Sequence, residues 1–318
     1  MKIVIPDGDT LALPDMKQRI TELFSPFGEV LCDGTTDPNE VIDKIGDAEA
    51  VLCNKTPITR EVMMQCRNLR YIGLFATGYN NIDIPASQER NIIVCNAGDY
   101  STHAVVQHTF ALLFSLAGNI PRYHAAVQAG EWEKSPTFSY FPYPVHELYG
   151  KTFSVIGYGS IGRHAAKAAE AFGMRVLINT RTRPLNCPYE LVSLKDALRQ
   201  ADVLSIHCPL TEQTANLINK ETLALMKPSA YLINTARGGI VCEQDLAEAL
   251  QSDRLAGAGL DVLRQEPMSP DTPLKSVKNC LITPHIAWSA VETRDRVLQI
   301  AAENLRAFLD GSPRNQVN

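Results

Sequence analysis

The sequence predicts an α/β protein built as two doubly wound parallel-sheet domains. Short apolar runs of strand length alternate with helical stretches almost from end to end, the pattern of parallel strands covered by helices. The alternation comes in two series, one over the first hundred residues and one from Thr152, and 318 residues suffice for two ordinary domains. The second series opens on a glycine-rich turn between a strand and a helix, the usual start of a doubly wound sheet.

In chain order, MKIVIPDG reads as a first strand, since its apolar run is too short for a secretion signal. KIVI, EVLC, AVLC, YIGLF and IIVC are the strand candidates of the first series, with helical segments at 15–24 and 60–66 between them. A long helix is expected over 101–118. Its apolar part, Ala104 to Ala117, carries Gln107, His108 and Thr109 and falls short of the roughly 20 residues a bilayer requires, so it is read as buried. The stretch 119–150 is rich in Tyr, Phe and Pro (TFSYFPYPVHELYG) with weak periodicity. It reads either as an arm that packs on a partner subunit or as a surface excursion. From Thr152 the strand candidates are FSVIGYG, RVLINT, VLSIHCP, AYLINTA, GAGLDV and CLITPH, six in all. The helix after GYGSIG should run from Ile161 to about Phe172 and stop at Gly173. A last helix over 291–309 returns to the first domain, making it discontinuous: 1–100 plus 288–318, around 101–287.

With hydrophobic residues at 45% and charged ones at 20%, a sizeable core is easily built. A net charge of −5 gives no case for nucleic acid or an anionic membrane as partner, and an acidic substrate would need local cations. The eight cysteines (Cys32, Cys53, Cys66, Cys95, Cys187, Cys208, Cys242, Cys280) form no C-x-x-C pair, and several lie in strand runs. They read as reduced thiols of a cytoplasmic protein, with neither disulfides nor a metal site.

GYGSIG follows the strand FSVI and precedes an alanine-rich helix, the context that gives G-x-G-x-x-G meaning. Gly157 permits the tight turn, Gly159 lets a pyrophosphate approach the backbone and Gly162 lets the helix pack on the strand. Ser160 and Ile161 start the helix whose N-terminus faces the phosphates. This is the mark of a Rossmann-type dinucleotide domain; a close-packed turn without ligand is the competing reading. The next strand ends Asn179-Thr180-Arg181-Thr182-Arg183. An NAD site usually places a carboxylate there for the ribose hydroxyls. Thr180 with Arg181 and Arg183 instead suits a 2′-phosphate, so NADP is preferred over NAD. The alternative is a solvated loop with preference set elsewhere.

Three residues at strand ends form the candidate catalytic set: Arg237 in INTARGG, Glu266 in RQEP and His285 in TPHIAW, spaced 266 − 237 = 29 and 285 − 266 = 19. The imidazole suits proton transfer to or from a substrate oxygen as a hydride moves at carbon. The carboxylate would fix the ring's tautomer. The guanidinium fork matches a substrate carboxylate, and ARGG gives it a permissive backbone. Singly these could be a core histidine, a surface glutamate and an ion-pair arginine; jointly, at strand ends of one domain, they point to chemistry. His103 and His108 sit on the long helix, where His108 should pack or cap; His124, His146 and His164 show no partner motif, and His207 could line the cofactor cleft.

GYGSIG, HCPLTEQT, LINTARGGIV, GLDV, EP and TPHIAW together resemble the D-isomer-specific 2-hydroxyacid dehydrogenases over nearly the whole chain. NKTPIT, ATGYNNIDI, YSTHAVVQHTFALL, SPTFSYF and HIAW are similar to the glycerate dehydrogenase, or hydroxypyruvate reductase, branch. The resemblance implies a flavodoxin-like substrate domain, a cleft between the domains, and catalytic roles for Arg237, Glu266 and His285. It also implies that Thr77 and Gly78 offer amides to the substrate carboxylate with Asn54 nearby, and that Asp261 lies near the nicotinamide carboxamide. Cys208, Pro209, Thr214, Thr235 and Ala236 would line the cofactor, and residues 101–150 would form a homodimer. Two positions depart from the pattern: Thr180, where an acid is usual, and Cys242, where an aspartate is usual and a helix N-cap would be lost.

The expected activity is reduction of a small 2-keto acid, hydroxypyruvate or glyoxylate, to the 2-hydroxy acid. Cleft closure would exclude water, with 99–102 and 286–289 as hinges. A reductase of a bulkier 2-keto acid, its pocket set by Phe138–Tyr143 of a neighbour, is one alternative. A non-catalytic, cofactor-sensing interaction protein on the same fold is the other, since known corepressors resemble these enzymes.

Overall fold

The computed structural model describes residues 1–11 and 15–318, which divide into two compact units, Met1–Ser101 with Ser289–Asn318 and Thr102–Trp288. In the first unit the strands are β1 (Lys2–Ile5), β2 (Glu29–Cys32), β3 (Ala50–Cys53), β4 (Tyr71–Leu74) and β5 (Ile93–Cys95). Between them lie α1 (Met16–Phe24), α2 (Val41–Ile45), α3 (Arg60–Gln65) and α4 (Ile84–Glu89). Among the described residues the strands form one parallel sheet in the order β2-β1-β3-β4-β5. Both central strands, AVLC and YIGL, are buried at every position, as unbroken apolar runs must be when helices cover both faces. Thr59 and Asp83 cap α3 and α4 by accepting from the N–H groups of Val62 and Ala86.

The strand order reverses between β1 and β3, and a crevice forms at their carboxyl ends. The buried carboxylate of Asp7 fills it. It accepts from the N–H groups of Asn54, Lys55 and Thr56 and from the Thr56 hydroxyl at 2.7–3.1 Å.

The second unit begins with α5 (Thr102–Ala117) and α6 (Ile120–Gln128), then β6 (Thr152–Ile156), α7 (Ser160–Ala171), β7 (Arg175–Asn179) and β8 (Glu190–Leu191). It continues through α8 (Leu194–Gln200), β9 (Val203–Ile206), α9 (Lys220–Leu223), β10 (Tyr231–Asn234), α10 (Glu243–Gln251), β11 (Gly257–Leu260) and β12 (Cys280–Ile282). The parallel sheet runs β12-β11-β10-β9-β6-β7-β8, with its reversal between β6 and β9. α7 ends at Gly173, whose φ of +71° suits glycine. Its N–H reaches Glu170 O and the Met174 N–H reaches Ala169 O, satisfying the last carbonyls.

Two details differ from the sequence expectation. A seventh strand, β8, extends the sheet by two residues, too few to show an apolar period. The stretch 119–150 contains a helix, α6, started by left-handed Asn119 and by Pro121 in the first turn; irregular chain follows.

The chain returns to the first unit in α11 (Val291–Leu309), which packs on β4, with the Phe308 and Tyr71 rings 4.8 Å apart. Beyond it Gln316 pairs with Cys95 and the Val317 N–H reaches Val94 O, which lengthens the β5 edge. Among the described residues all eight cysteines are free thiols, and no single helix is long and apolar enough to cross a membrane.

Candidate active site

At the carboxyl ends of β6, β7 and β9 a cleft of about 500 Å³ opens, bounded by Gly157, Gly159, Thr180, Arg181, His207 and Cys208. Its size suits a small-molecule site. The three glycines differ in what they permit. Gly157 has φ of +95°, and a Cβ there would lie 2.6 Å from the Cys208 nitrogen, so the turn and the β9 loop touch only because it is glycine. A Cβ on Gly162 would lie 2.1 Å from Gly157 O, so α7 could not begin so close to β6. A Cβ on Gly159 would meet nothing within 4 Å, so that backbone is open on the cleft side. Among the described residues the N–H groups of Gly159, Ser160 and Ile161 have no intramolecular acceptor. They are the orphan donors of the first turn of α7, oriented for an anion. The Ser160 hydroxyl lies 2.9 Å from the Thr102 hydroxyl.

Thr180 stands at the end of β7, and Arg181 and Arg183 beyond it form no ion pair among the described residues. His207 is held by the Ser205 hydroxyl at 2.8 Å from Nε2, and burial lowers its pKa to about 4, which keeps it neutral near pH 7. Cys208, Pro209 and Thr214 line the same cleft. The Thr214 hydroxyl donates to Pro209 O and accepts from the Thr211 N–H, each at 2.7 Å, and so shapes the wall.

On the β10–β12 side, the fully buried Asn234 folds back the loop carrying Thr235, Ala236 and Arg237. It accepts from the Ala236 N–H and donates to Arg237 O, each at 3.0 Å. Arg237 is half-buried, uses one donor on Ala236 O at 2.7 Å, and forms no ion pair among the described residues. The following Gly238 lies against the backbone of Leu263 and Arg264, where a Cβ would fall 1.8 Å from the Leu263 carbonyl carbon. That segment leads to Glu266, whose Oε1 accepts from the Leu263 N–H at 3.0 Å. Glu266 Oε2 lies 2.6 Å from His285 Nδ1. Nδ1 therefore carries a proton donated to the carboxylate, and Nε2 is left as the nitrogen that exchanges one.

His285 itself is strained, with φ of +55°, a conformation that costs a non-glycine residue about 1 kcal/mol or more. Asp261 holds it there. The Asp261 carbonyl accepts the His285 N–H at 2.8 Å. Its carboxylate accepts from the N–H groups of Ile286 and Ala287 at 2.9 and 2.8 Å and from the Thr283 hydroxyl at 2.6 Å. Burial alone would raise this carboxyl; the nearby His108 ring and hydrogen bonds from Thr283, Ala287 and Ile286 outweigh it and hold it below the usual carboxylate range.

Residues 110–287 match the family model described as the NAD-binding domain of D-isomer-specific 2-hydroxyacid dehydrogenases. The chain belongs to the D-isomer-specific 2-hydroxyacid dehydrogenase family. It is 43% identical to a hydroxypyruvate reductase of Blautia hydrogenotrophica over all of both chains. It is 38% identical to a glycerate dehydrogenase of Methylorubrum extorquens, over 99% of this chain and 98% of that one. An NADPH-dependent glyoxylate/hydroxypyruvate reductase from Sinorhizobium meliloti, solved with citrate, superposes with a TM-score of 0.87 at 28% identity, covering 99% of this chain and 97% of that one. As a member of this family the protein is an oxidoreductase with a nicotinamide-cofactor domain.

One expectation about this dehydrogenase changes in detail. ARGG was expected to give Arg237 a permissive backbone; Gly238 is not left-handed, and the glycine serves the close approach of the Glu266 segment. The resemblance implies that Asp261 lies near the nicotinamide carboxamide; its carboxylate, 1% exposed, is bonded to the loop that carries His285. Cys242 does stand at the N-cap of α10 without a side-chain cap bond. In the first unit Asn54 follows β3, its Nδ2 bonded to the Thr10 hydroxyl at 3.1 Å. Thr77 and Gly78 follow β4, and among the described residues their N–H groups have no intramolecular acceptor. Sequence reasoning missed Asp7 and gave His108 no chemistry. A lone carboxylate after a first strand and a histidine on an apolar helix carry no motif.

Proposed function

We propose that this dehydrogenase reduces a small 2-keto acid, hydroxypyruvate or glyoxylate, to the corresponding 2-hydroxy acid and prefers NADPH. The observation that carries the chemistry is the 2.6 Å contact of Glu266 with His285 Nδ1, which leaves Nε2 free to hand a proton to a substrate oxygen. Glu266 balances the charge on the ring while it is protonated. Arg237, a half-buried cation without an ion-pair partner among the described residues, receives the substrate carboxylate and polarises the adjacent carbonyl. In the first unit the proposed substrate contacts are the N–H groups of Thr77 and Gly78 and the Asn54 side chain, supported by the uncommitted amides.

The cofactor, when bound, supplies the hydride. Gly157, Gly159 and Gly162 with the amides of Ser160 and Ile161 would hold its pyrophosphate, and Cys208, Pro209, Thr214, Thr235, Ala236 and Asp261 would line its course. Thr180 with Arg181 and Arg183, which form no ion pair among the described residues, supports a 2′-phosphate, as does the NADPH dependence of the Sinorhizobium relative. A homodimer through residues 101–150 and a cytoplasmic setting complete the proposal. Supporting the dimer, Phe138 is 92% and Phe141 83% exposed, with exposed Val145 and Tyr149 following in sequence.

The test follows cofactor absorbance with hydroxypyruvate and glyoxylate, each with NADPH and NADH. Fast oxidation of NADPH supports the whole reading. NADH preference keeps the reaction and removes the 2′-phosphate site. No oxidation with either acid turns the reading to bulkier 2-keto acids, and failing those to a cofactor-sensing role.

A further inference from the structure

The histidine of QHT on α5 lies behind the His285 loop. His108 Nε2 is 2.9 Å from the Thr283 hydroxyl and 3.4 Å from Asp261 Oδ1. Thr283 has one hydroxyl proton, and it goes to Asp261 Oδ1 at 2.6 Å. The contact with His108 must therefore be an Nε2–H donated to the Thr283 oxygen, which fixes the His108 tautomer. The next residue does the same for the neighbouring strand end. Thr109 donates its proton to Val105 O at 2.8 Å, so across 3.2 Å the Thr235 hydroxyl donates to Thr109. One turn of α5 thus fastens the ends of both β10 and β12. The buried Asp261 carboxylate is shared between His108 and Thr283 on one side and the amides of Ile286 and Ala287 on the other. His285, in a conformation its backbone disfavours, sits inside that ring of bonds.

We propose that His108 is a positioning residue for His285, acting through Thr283 and Asp261. This rests on the reading of His285 as the proton-transferring group. His108 does not line the cleft beside Gly157; its effect is on where the His285 ring stands. Removing its N–H leaves the Thr283 oxygen short of a donor and loosens the loop, whereas a side chain with an N–H at the same reach should restore it.

The experiment compares His108→Leu and His108→Gln in the full-length protein by peptide-level amide exchange without ligands, and by steady-state kinetics with hydroxypyruvate. His108→Leu is expected to speed exchange over 283–287 about tenfold, the scale of one hydrogen bond, with peptides over β6 unchanged. It should also lower kcat while KM and cofactor affinity stay near the parent values, and His108→Gln should restore most of both. Unchanged exchange at 283–287, an equal rise across the whole of 102–288, or a glutamine variant no better than leucine would overturn the proposal. If His108→Leu does not fold, Thr283→Val cuts the same link from the other end and is read by the same criteria. Faster exchange rescued by glutamine with kcat unmoved would uphold the hold on the loop and count against His285 as the proton donor.

Discussion

Gly238 offers a sharp test of how the Arg237 and Glu266 segments are held together. In Gly238→Ala the new Cβ would lie 1.8 Å from the Leu263 carbonyl carbon, 2.0 Å from its oxygen and 2.4 Å from the Arg264 nitrogen. Ordinary contact begins at 3.4 Å, so the two backbones must part by 3.4 − 1.8 = 1.6 Å. No side chain can absorb this, because every atom met is main chain. Leu263 carries the N–H that holds Glu266 Oε1 at 3.0 Å, and Glu266 Oε2 stands 2.6 Å from His285, so a shift of that size breaks the support of the imidazole. A misplacement near 1 Å in such a site costs about 10²-fold in rate. Overpacking of this kind costs roughly 1–3 kcal/mol, or about 2–12 °C in Tm for a unit of this size. The control is the adjacent Gly239→Ala, whose Cβ would meet the methyl end of the Leu210 side chain at 2.9 Å, which can rotate away. Cofactor oxidation, cofactor affinity and thermal melting are measured for both variants. A Gly238→Ala enzyme as active as Gly239→Ala would refute the claim that this glycine sets the geometry of the site.

Three further outcomes follow. Cys242→Asp should supply the missing N-cap of α10 and raise stability by about 1 kcal/mol, roughly 2–4 °C in Tm; an unchanged melt would show that the cap is satisfied otherwise. His207 titrates near 4 in the fold because burial disfavours its charged form, against about 6.5 unfolded. Between those values the unfolded chain binds the extra proton, so stability falls as pH drops through the window, by up to roughly 3 kcal/mol. His207→Asn should lose that share of the acid sensitivity, read from denaturant titrations at pH 7 and 4.5; parallel slopes would contradict it. Thr180→Asp should move cofactor preference toward NADH, because a carboxylate repels a 2′-phosphate and binds ribose hydroxyls. An unmoved NADPH/NADH ratio would place selectivity elsewhere.

The strands AVLC, VLSI and YLIN stand where their apolar runs put them, because buried parallel strands leave nearly unbroken hydrophobic runs in the sequence; the edge strand EVLC stands where it was expected although none of its residues is buried. β8 was invisible for lack of length, and α6 was hidden because Asn119 and Pro121, rather than periodicity, mark its start. The contact between Glu266 and His285 was foreshadowed by two strand-end motifs of suitable chemistry. What holds them was not. Asp261, Thr283 and His108 come together from β11, β12 and α5, and Gly238 matters for the backbone it meets 25 residues later (263 − 238 = 25). Such contacts leave no local pattern, since each partner has an ordinary place in its own segment.

In the proposed reaction the His285 imidazole, held by Glu266, moves the proton, while the cofactor binds independently of it. The most direct measurement is kcat for keto-acid reduction together with the cofactor dissociation constant in His285→Gln. In His285→Gln kcat is expected to fall about 10²- to 10⁴-fold with cofactor affinity near the parent value. Near-parent turnover, or cofactor affinity lost along with the rate, would contradict it.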